Sequence, residues 1–332
     1  MILHINKKIN ENLLNDIVKH YDAFVYDKGE FYVVITSSSV KELEQNFKGF
    51  VDESFVFDSD MQLSSSSYMQ KRKVSLSDDL CIGADSKNTL VMIGPCSVES
   101  KEQVEQSAKL ITSLGLKVLR AGAYKPRTSP YSFQGLAKEG LKILAEIREK
   151  YKLKIITEAR DCTHIDEILD YADIVQIGAK AMYDHGILKP CSKSKKPVLI
   201  KRGFGSSLQE FVQAAEFVLS GGNENVILCE RGIRTFETKT RFTLDLCGVV
   251  YLKQYTNLPI VLDPSHAMGY AYGVSDLSRA CLAMGIDGLL IEVHPNPKYA
   301  KSDASQQLNH KEFSELFESL KPIAKAIDVS LV

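Results

Sequence analysis

The sequence lacks a charge bias. Its 332 residues carry 41 lysines and arginines against 42 aspartates and glutamates, a formal net charge of -1. Such a balance gives no electrostatic footprint for nucleic acid or an anionic membrane surface, so neither partner is expected. It lacks a long uninterrupted apolar run, so no membrane span is expected. The first residues, MILHINKKIN, hold lysines with no apolar stretch behind them, and no secretory leader is expected. Seven cysteines (Cys81, Cys96, Cys162, Cys191, Cys229, Cys247 and Cys281) are scattered without a CxxC spacing. They read as small apolar fillers in a reduced, cytoplasmic protein, so a cysteine with a role must be picked out by its surroundings. No GxGxxG follows the first strand of the larger part of the chain, which weighs against a dinucleotide-binding Rossmann sheet; GFGSS comes after the fifth strand and is too short. No HExxH is present either, so a metal site would have to be assembled from dispersed residues.

What is present divides the chain. Hydrophobic residues make up 44% and charged residues 25%, ordinary for a globular protein. Residues 1–62 show a strand (ILHIN), a helical pattern through Leu13, Leu14, Ile17 and Val18, and two strands across an Asp-Lys-Gly turn. A second helix (SVKELEQNF) and a last strand (ESFVFD) follow. The order βαββαβ predicts a small ferredoxin-like domain, either structural or regulatory. Residues 63–80, rich in serine and then basic, read as a linker. Residues 81–332 are about the length of a (β/α)8 barrel. Eight short β-branched runs alternate with helical segments there: LVMIG, KVLRA, KIITE, DIVQIG, PVLIK, NVILCE, PIVLD and GLLIE. Most are apolar on both faces, as parallel strands covered on both sides must be. The expected fold is therefore an α/β TIM barrel behind the small domain.

Polar groups crowd the C-terminal ends of these strands, where barrels of this kind place their active sites. The endings are GPCS, RAGAYKPRT, TEARD, QIGAK, IKRG, CERG, DPSH and EVHP. Two chemistries converge. One is cationic: Arg120, Lys125, Arg127, Lys180, Lys201, Arg202 and Arg231. Any one alone would ordinarily pair with a carboxylate; a whole rim suits phosphate oxygens, and more than one anionic group. The other is a candidate metal set: Cys96 after the first strand, His266 after the seventh, Glu292 ending the eighth and Asp303 beyond it. A sulfur, a nitrogen and two oxygens suit a divalent transition metal. Closure of a barrel would bring the first strand against the eighth. Glu292 and His294, two apart, are expected to share a face.

The stretches GPCSVES, LRAGAYKPRTSPYSFQG, LCERGIRTFE, LDPSHAMGY and IEVHPNPKYAKSDASQQL resemble 3-deoxy-D-arabino-heptulosonate-7-phosphate (DAHP) synthases of type I, from about Leu90 to about Leu308. The element order of residues 1–62 resembles the form with a ferredoxin-like regulatory domain, which can bind an aromatic amino acid as inhibitor. The resemblance implies a barrel that condenses phosphoenolpyruvate with erythrose 4-phosphate, releasing phosphate, as the first step of the shikimate pathway. It implies a divalent ion (Mn, Fe, Co or Zn) on Cys96, His266, Glu292 and Asp303. The same resemblance places phosphoenolpyruvate on Arg120, Lys125, Lys201 and Arg231, with the turn at Ala179 and Lys180. The sugar phosphate falls on Lys125, Pro126, Arg127 and Thr128. Lys125 is the expected proton-transfer residue, with Glu158 and His294 as lesser candidates. Lys180 stands where related enzymes usually carry arginine, which keeps the charge and loses the bidentate fork. A homo-oligomer, dimer or tetramer, is expected. The nearest rival is 3-deoxy-D-manno-octulosonate-8-phosphate synthase, which uses arabinose 5-phosphate and typically carries an Asn-Lys-Ser-type stretch where this chain has Lys125-Pro126-Arg127-Thr128. A Schiff-base aldolase built on Lys201, or an amino-acid sensor with an inactive barrel, are the readings from other classes.

Overall fold

The computed structural model describes residues 1–84, 86–125 and 129–332. The chain begins with β1 (Ile2–Asn6), a helix over Glu11–His20, β2 (Phe24–Asp27), β3 (Phe31–Ile35) and β4 (Val51–Phe55). The helix starts where Asn10 accepts a hydrogen bond from the Leu13 N–H. The four strands form an antiparallel sheet in the order β2-β3-β1-β4. That is the strand order of the ferredoxin-like motif. The second helix expected within SVKELEQNF does not form: a run of turns leads into a single 3-10 turn, Lys48–Phe50. The Glu44 N–H, which a helix would have used in its own ladder, donates instead to the Tyr21 hydroxyl at 3.0 Å. Ser39 meets Ser37 rather than capping a helix. Val40, Leu43 and Phe47 still pack on the inner face of the sheet, so the apolar spacing is used without the helix. A segment this short has little helical stability of its own.

The serine-rich stretch is packed at its start, while Ser66 and Ser67 are exposed. Leu63 and Ser64 are fully buried. Glu216, on the barrel helix Leu208–Leu219, accepts from the backbone N–H groups of Gln62, Leu63 and Ser64 and from the Ser64 hydroxyl, at 2.5–3.1 Å. Arg72, buried, donates to Leu63 O and to Asn257. A hairpin follows, β5 (Lys73–Ser77) and β6 (Leu80–Gly83), and it straddles the expected boundary at residue 80. Its Val74, Leu80 and Ile82 pack against the inward side chains Leu90, Met92, Val118, Ile227 and Leu290. The hairpin thereby plugs the barrel at its N-terminal end.

All eight expected barrel strands are present: β7 (Asn88–Gly94), β8 (Val118–Arg120), β9 (Lys154–Ala159), β10 (Ile174–Ile177), β11 (Val198–Lys201), β12 (Val226–Glu230), β13 (Ile260–Leu262) and β14 (Gly288–Glu292). They are parallel and pair in chain order, and β14 pairs with β7 to close the barrel. A short β15 (Ser330–Leu331) adds to the start of β7. Alternate residues divide between two cores. Leu90 and Met92 face the interior, while Val91 and Ile93 face the helical layer. That explains why both faces read as apolar. Gly94 ends β7 at φ 148°, and a Cβ there would lie 2.2 Å from Arg120 O, so only glycine lets the ends of β7 and β8 approach. Among the described residues, no helix is long and apolar enough to cross a membrane.

Glu216→Ala would leave three backbone donors in the junction without an acceptor. The expected loss is about 2–4 kcal/mol of stability, with faster proteolysis around residues 66–71. Glu216→Gln, which keeps an acceptor, should lose less. Denaturant titration and limited proteolysis check both.

Candidate active site

A cavity of about 440 Å³ opens at the C-terminal ends of the strands. Lys125, Glu158, Ala179, Lys180, Lys201, Arg231, His266 and Asp303 line it. The acidic and sulfur groups gather at one end. One ligand atom each from Cys96, Glu292 and Asp303 lie within 4.8 Å of one another. His266 Nε2 is 3.5 Å from Glu292 Oε1, and its Nδ1 is 2.7 Å from Asp263 Oδ2. The approach is off the line of a good hydrogen bond, so the contact is an ion-pair one, and Nδ1 carries the proton because two acceptors that close would repel. Burial, its largest influence, lowers the affinity of His266 for a second proton. Nε2 is therefore a lone pair facing a carboxylate.

The donor chemistry of this cluster fits a divalent cation. Burial and then Glu292 push the Cys96 thiol up to about 12, although Lys125 pulls the other way. Burial would also raise the carboxyls of Glu292 and Asp303, but His266, protonated at the acid pH where they titrate, with neighbouring Arg120 or Lys125 holds both below their ordinary values. Two carboxylates, an imidazole lone pair and a thiol that needs a stronger cation than Lys125 to ionise all point inward. Asp303 holds φ 45°, a conformation aspartate tolerates better than most residues. Gln306 donates to Glu292 Oε2 at 2.6 Å and accepts from Arg241 at 2.6 Å, which fixes the carboxylate from behind.

The cations divide into committed and open. Arg120 donates through Nη1 to Pro95 O and Glu292 Oε1, both at 2.8 Å, while its Nε is buried without a partner. Arg231 Nη1 is likewise buried and unpartnered. Its guanidinium lies 4.4 Å over the Phe242 ring, and burial is the main reason its pKa falls. An insufficiently neutralised buried guanidinium calls for an anion. Lys201 donates to Asp263 at 2.6 Å. Lys125 donates to Cys96 O at 3.2 Å and Sγ at 3.0 Å. Burial would lower its amine, but Cys96, Glu158 and Glu292 outweigh that and hold it above its ordinary value. Ala179 and Lys180 sit in a 3-10 turn at the cavity wall. Arg202 does not belong to the rim: it is buried against Glu230 and Asp245 at 3.0 and 2.8 Å. Pro126, Arg127 and Thr128 lie outside the described residues.

Glu158 accepts from Gln176 at 2.6 Å, and a Cβ at Gly178 would lie 2.4 Å from its Oε1. Glycine at 178 thus makes room for the carboxylate. His294 does not line the cavity. β14 ends at Glu292, so strand alternation stops short of His294. Its Nδ1 accepts from the Asn296 N–H at 2.9 Å, and its Nε2 is 3.7 Å from Glu99. Sequence reasoning passed over Asp263 and Gln306, which support the candidate ligands, and Arg234 and Arg241 at the rim. Arg234 lies over Phe204, and Phe204 stacks with Phe242. The stretches DPSH and CERGIR held two of these residues, but nothing in them marks an oxygen that serves two partners.

Comparison with known proteins agrees with this geometry. The DAHP synthetase I family model matches residues 67–328. The chain belongs to the DAHP synthetase I family. Phospho-2-dehydro-3-deoxyheptonate aldolase of Thermotoga maritima is 46% identical over 241 residues, 73% of this chain and 71% of that protein. A crystal structure of a Thermotoga maritima DAHP synthase superposes with TM-score 0.81 at 37% identity, covering 100% of this chain and 99% of the other. A truncated form of the Thermotoga maritima synthase gives 0.77 at 39% identity, covering 82% of this chain and 100% of that form. A 2-dehydro-3-deoxyphosphooctonate aldolase of Francisella tularensis is more distant, 29% identical over 263 residues, 73% of this chain and 94% of that protein. The octulosonate alternative fits less well.

The two kinds of arginine should separate in experiment. Arg202→Met leaves Glu230 buried without its partner and is expected to cost roughly 3–5 kcal/mol of stability. Arg231→Met removes an open donor: little loss of stability is expected, with anion binding to the cavity lost. Thermal unfolding with and without phosphoenolpyruvate checks both.

Proposed function

We propose that the chain condenses phosphoenolpyruvate with erythrose 4-phosphate to give DAHP and inorganic phosphate. The observation that carries this reading is an unpartnered buried guanidinium donor on Arg231 in the wall of the cavity that Asp303 of the candidate cation cluster also lines, with Arg120 and Cys96 in an adjoining pocket that shares Lys125 and Glu158 with it. The family and the identity to a named heptonate aldolase support the same reading.

Cys96, His266, Glu292 and Asp303 would hold a divalent ion, which when bound supplies Lewis-acid polarisation of the sugar aldehyde. Arg120, Lys201 and Arg231, with the turn at Ala179 and Lys180, bind phosphoenolpyruvate by its carboxylate and phosphate. Pro126, Arg127 and Thr128 are assigned to the sugar phosphate on the resemblance alone. Carbon 3 of phosphoenolpyruvate attacks the aldehyde carbon, and the Lys125 ammonium donates a proton to the oxygen that becomes hydroxyl. Held above its ordinary value, that amine is an ammonium at neutral pH, so Lys125 enters the reaction as a proton donor and not as a base. Water adds to carbon 2, and the hemiketal phosphate then loses phosphate by C–O cleavage. Glu158 lines the same cavity and is placed to orient that water. Most of the catalysis comes from holding two anions in attack geometry.

Residues 1–62 are assigned a regulatory role. A cavity of about 400 Å³ there, bordered by Lys41, Lys48, Leu43 and Val51, offers the cation of Lys48 and apolar walls to an amino acid, Lys41 being paired with Asp58. We assign catalysis to the barrel from residue 81, with the hairpin from residue 73 as its floor, and expect a homo-oligomer.

Phosphate release with both substrates tests the reaction. Activity is expected with erythrose 4-phosphate and much less with arabinose 5-phosphate, and it should vanish on chelation and return with Mn2+. Cys96→Ala should lower kcat at least about a thousandfold. Full activity in that variant would refute the metal assignment, and borohydride trapping of substrate on Lys201 would refute the mechanism.

A further inference from the structure

Asp263 joins the two halves of the site through one atom. Its side chain is fully buried. Oδ1 accepts the backbone N–H of His266 at 2.9 Å, which starts the short helix Pro264–Met268. Oδ2 is 2.7 Å from His266 Nδ1 and 2.6 Å from Lys201 Nζ. One carboxylate oxygen therefore serves a candidate metal ligand and a candidate anion-binding lysine.

Two donors on one oxygen compete for its electron density. While Lys201 is paired only with Asp263, Oδ2 gives less to the imidazole. An anion arriving at Lys201 takes part of the ammonium's attention, and Oδ2 then pulls harder on the Nδ1 proton. A more strongly polarised imidazole is a better donor at Nε2. In a buried site this exchange is weakly screened. We propose that Asp263 is a positioning residue that makes metal and phosphoenolpyruvate binding reinforce each other through the shared Oδ2. The inference rests on the reaction proposed above, which supplies both ligands. Linkage requires the effect to be reciprocal: the factor by which phosphoenolpyruvate tightens the metal equals the factor by which the metal tightens phosphoenolpyruvate.

Direct attraction between a bound cation and a bound anion would also couple the two sites, without Asp263. Mn2+ titrations of the full chain by calorimetry, with and without saturating phosphoenolpyruvate, separate the two. In the unaltered protein, phosphoenolpyruvate should tighten Mn2+ by about 5–150-fold, the usual span for coupled sites. Asp263→Asn should weaken Mn2+ by about 10–100-fold, and phosphoenolpyruvate should tighten it by a smaller factor than in the unaltered protein, the factor that direct attraction leaves. Lys201→Met gives Oδ2 to His266 alone. It should bind Mn2+ more tightly than the unaltered protein before any phosphoenolpyruvate is added, with a smaller further gain afterwards. Losing a cation favours Mn2+ in any case. Arg231→Met measures that general part, since Arg231 makes no hydrogen bond to Asp263 among the described residues, and the gain in Lys201→Met should exceed it.

A purely structural Asp263–Lys201 pair predicts weaker Mn2+ in both variants, and that outcome overturns the proposal. So does coupling that persists undiminished in Asp263→Asn. If Asp263→Asn does not fold, the sign of the Lys201→Met change decides. Failure of the unaltered protein to bind either ligand would overturn the proposed reaction itself, and this inference with it.

Discussion

The pairing of β14 with β7 is the constraint on which the site depends. In that register Glu292 stands opposite Gly94, two residues before Cys96. Residues almost two hundred positions apart are thereby set side by side by backbone hydrogen bonds, not by their own attraction. Three acidic groups would not gather in a buried place unaided, because each is destabilised by the others and by the loss of water. The closed sheet supplies the restoring force. Arg120 and Lys125 then compensate part of the charge, Gln306 hydrogen-bonds Glu292, and the remainder is what a cation would satisfy.

The same accounting separates support from function among the cations. Arg202 has two carboxylates and a backbone oxygen, so its charge is answered within the fold. Arg231 has an aromatic face beneath it and an unpartnered nitrogen. Both are arginines at strand ends, and both are buried. Arg202 Nε is also buried without a partner, so what differs is the charge: Arg202 faces two carboxylates, and Arg231 has no carboxylate in hydrogen-bond contact among the described residues. An anion-binding pocket is a place where the fold declines to finish that pairing.

Much of this was legible in the sequence. Eight doubly apolar runs with polar endings are enough for a barrel, because few other arrangements bury a parallel sheet on both faces. The gathering of Cys96, Glu292 and Asp303 follows from closure plus strand-end position. Legibility stopped where a decision lay with tertiary partners. SVKELEQNF has the spacing of a helix, yet the Tyr21 hydroxyl takes the Glu44 N–H. The stretch after Met61 has the composition of a linker, yet Glu216, distant in sequence, gathers the backbone donors of Gln62, Leu63 and Ser64. Period-2 reasoning placed His294 beside Glu292, but the strand ends first. Arg202 read as rim because its two carboxylates come from other elements. Asp263 was in plain view within DPSH, and only coordinates reveal that one of its oxygens faces two cationic or proton-bearing groups.

The floor hairpin has a consequence for traffic. With Val74, Leu80 and Ile82 filling the base of the barrel, the cavity is a vessel with one mouth. Two phosphorylated substrates enter, and a seven-carbon sugar phosphate and free phosphate leave, through the same opening. Free phosphate, matched to the unpartnered guanidinium donor of Arg231 in the cavity wall, is the natural competitor of the next molecule of phosphoenolpyruvate.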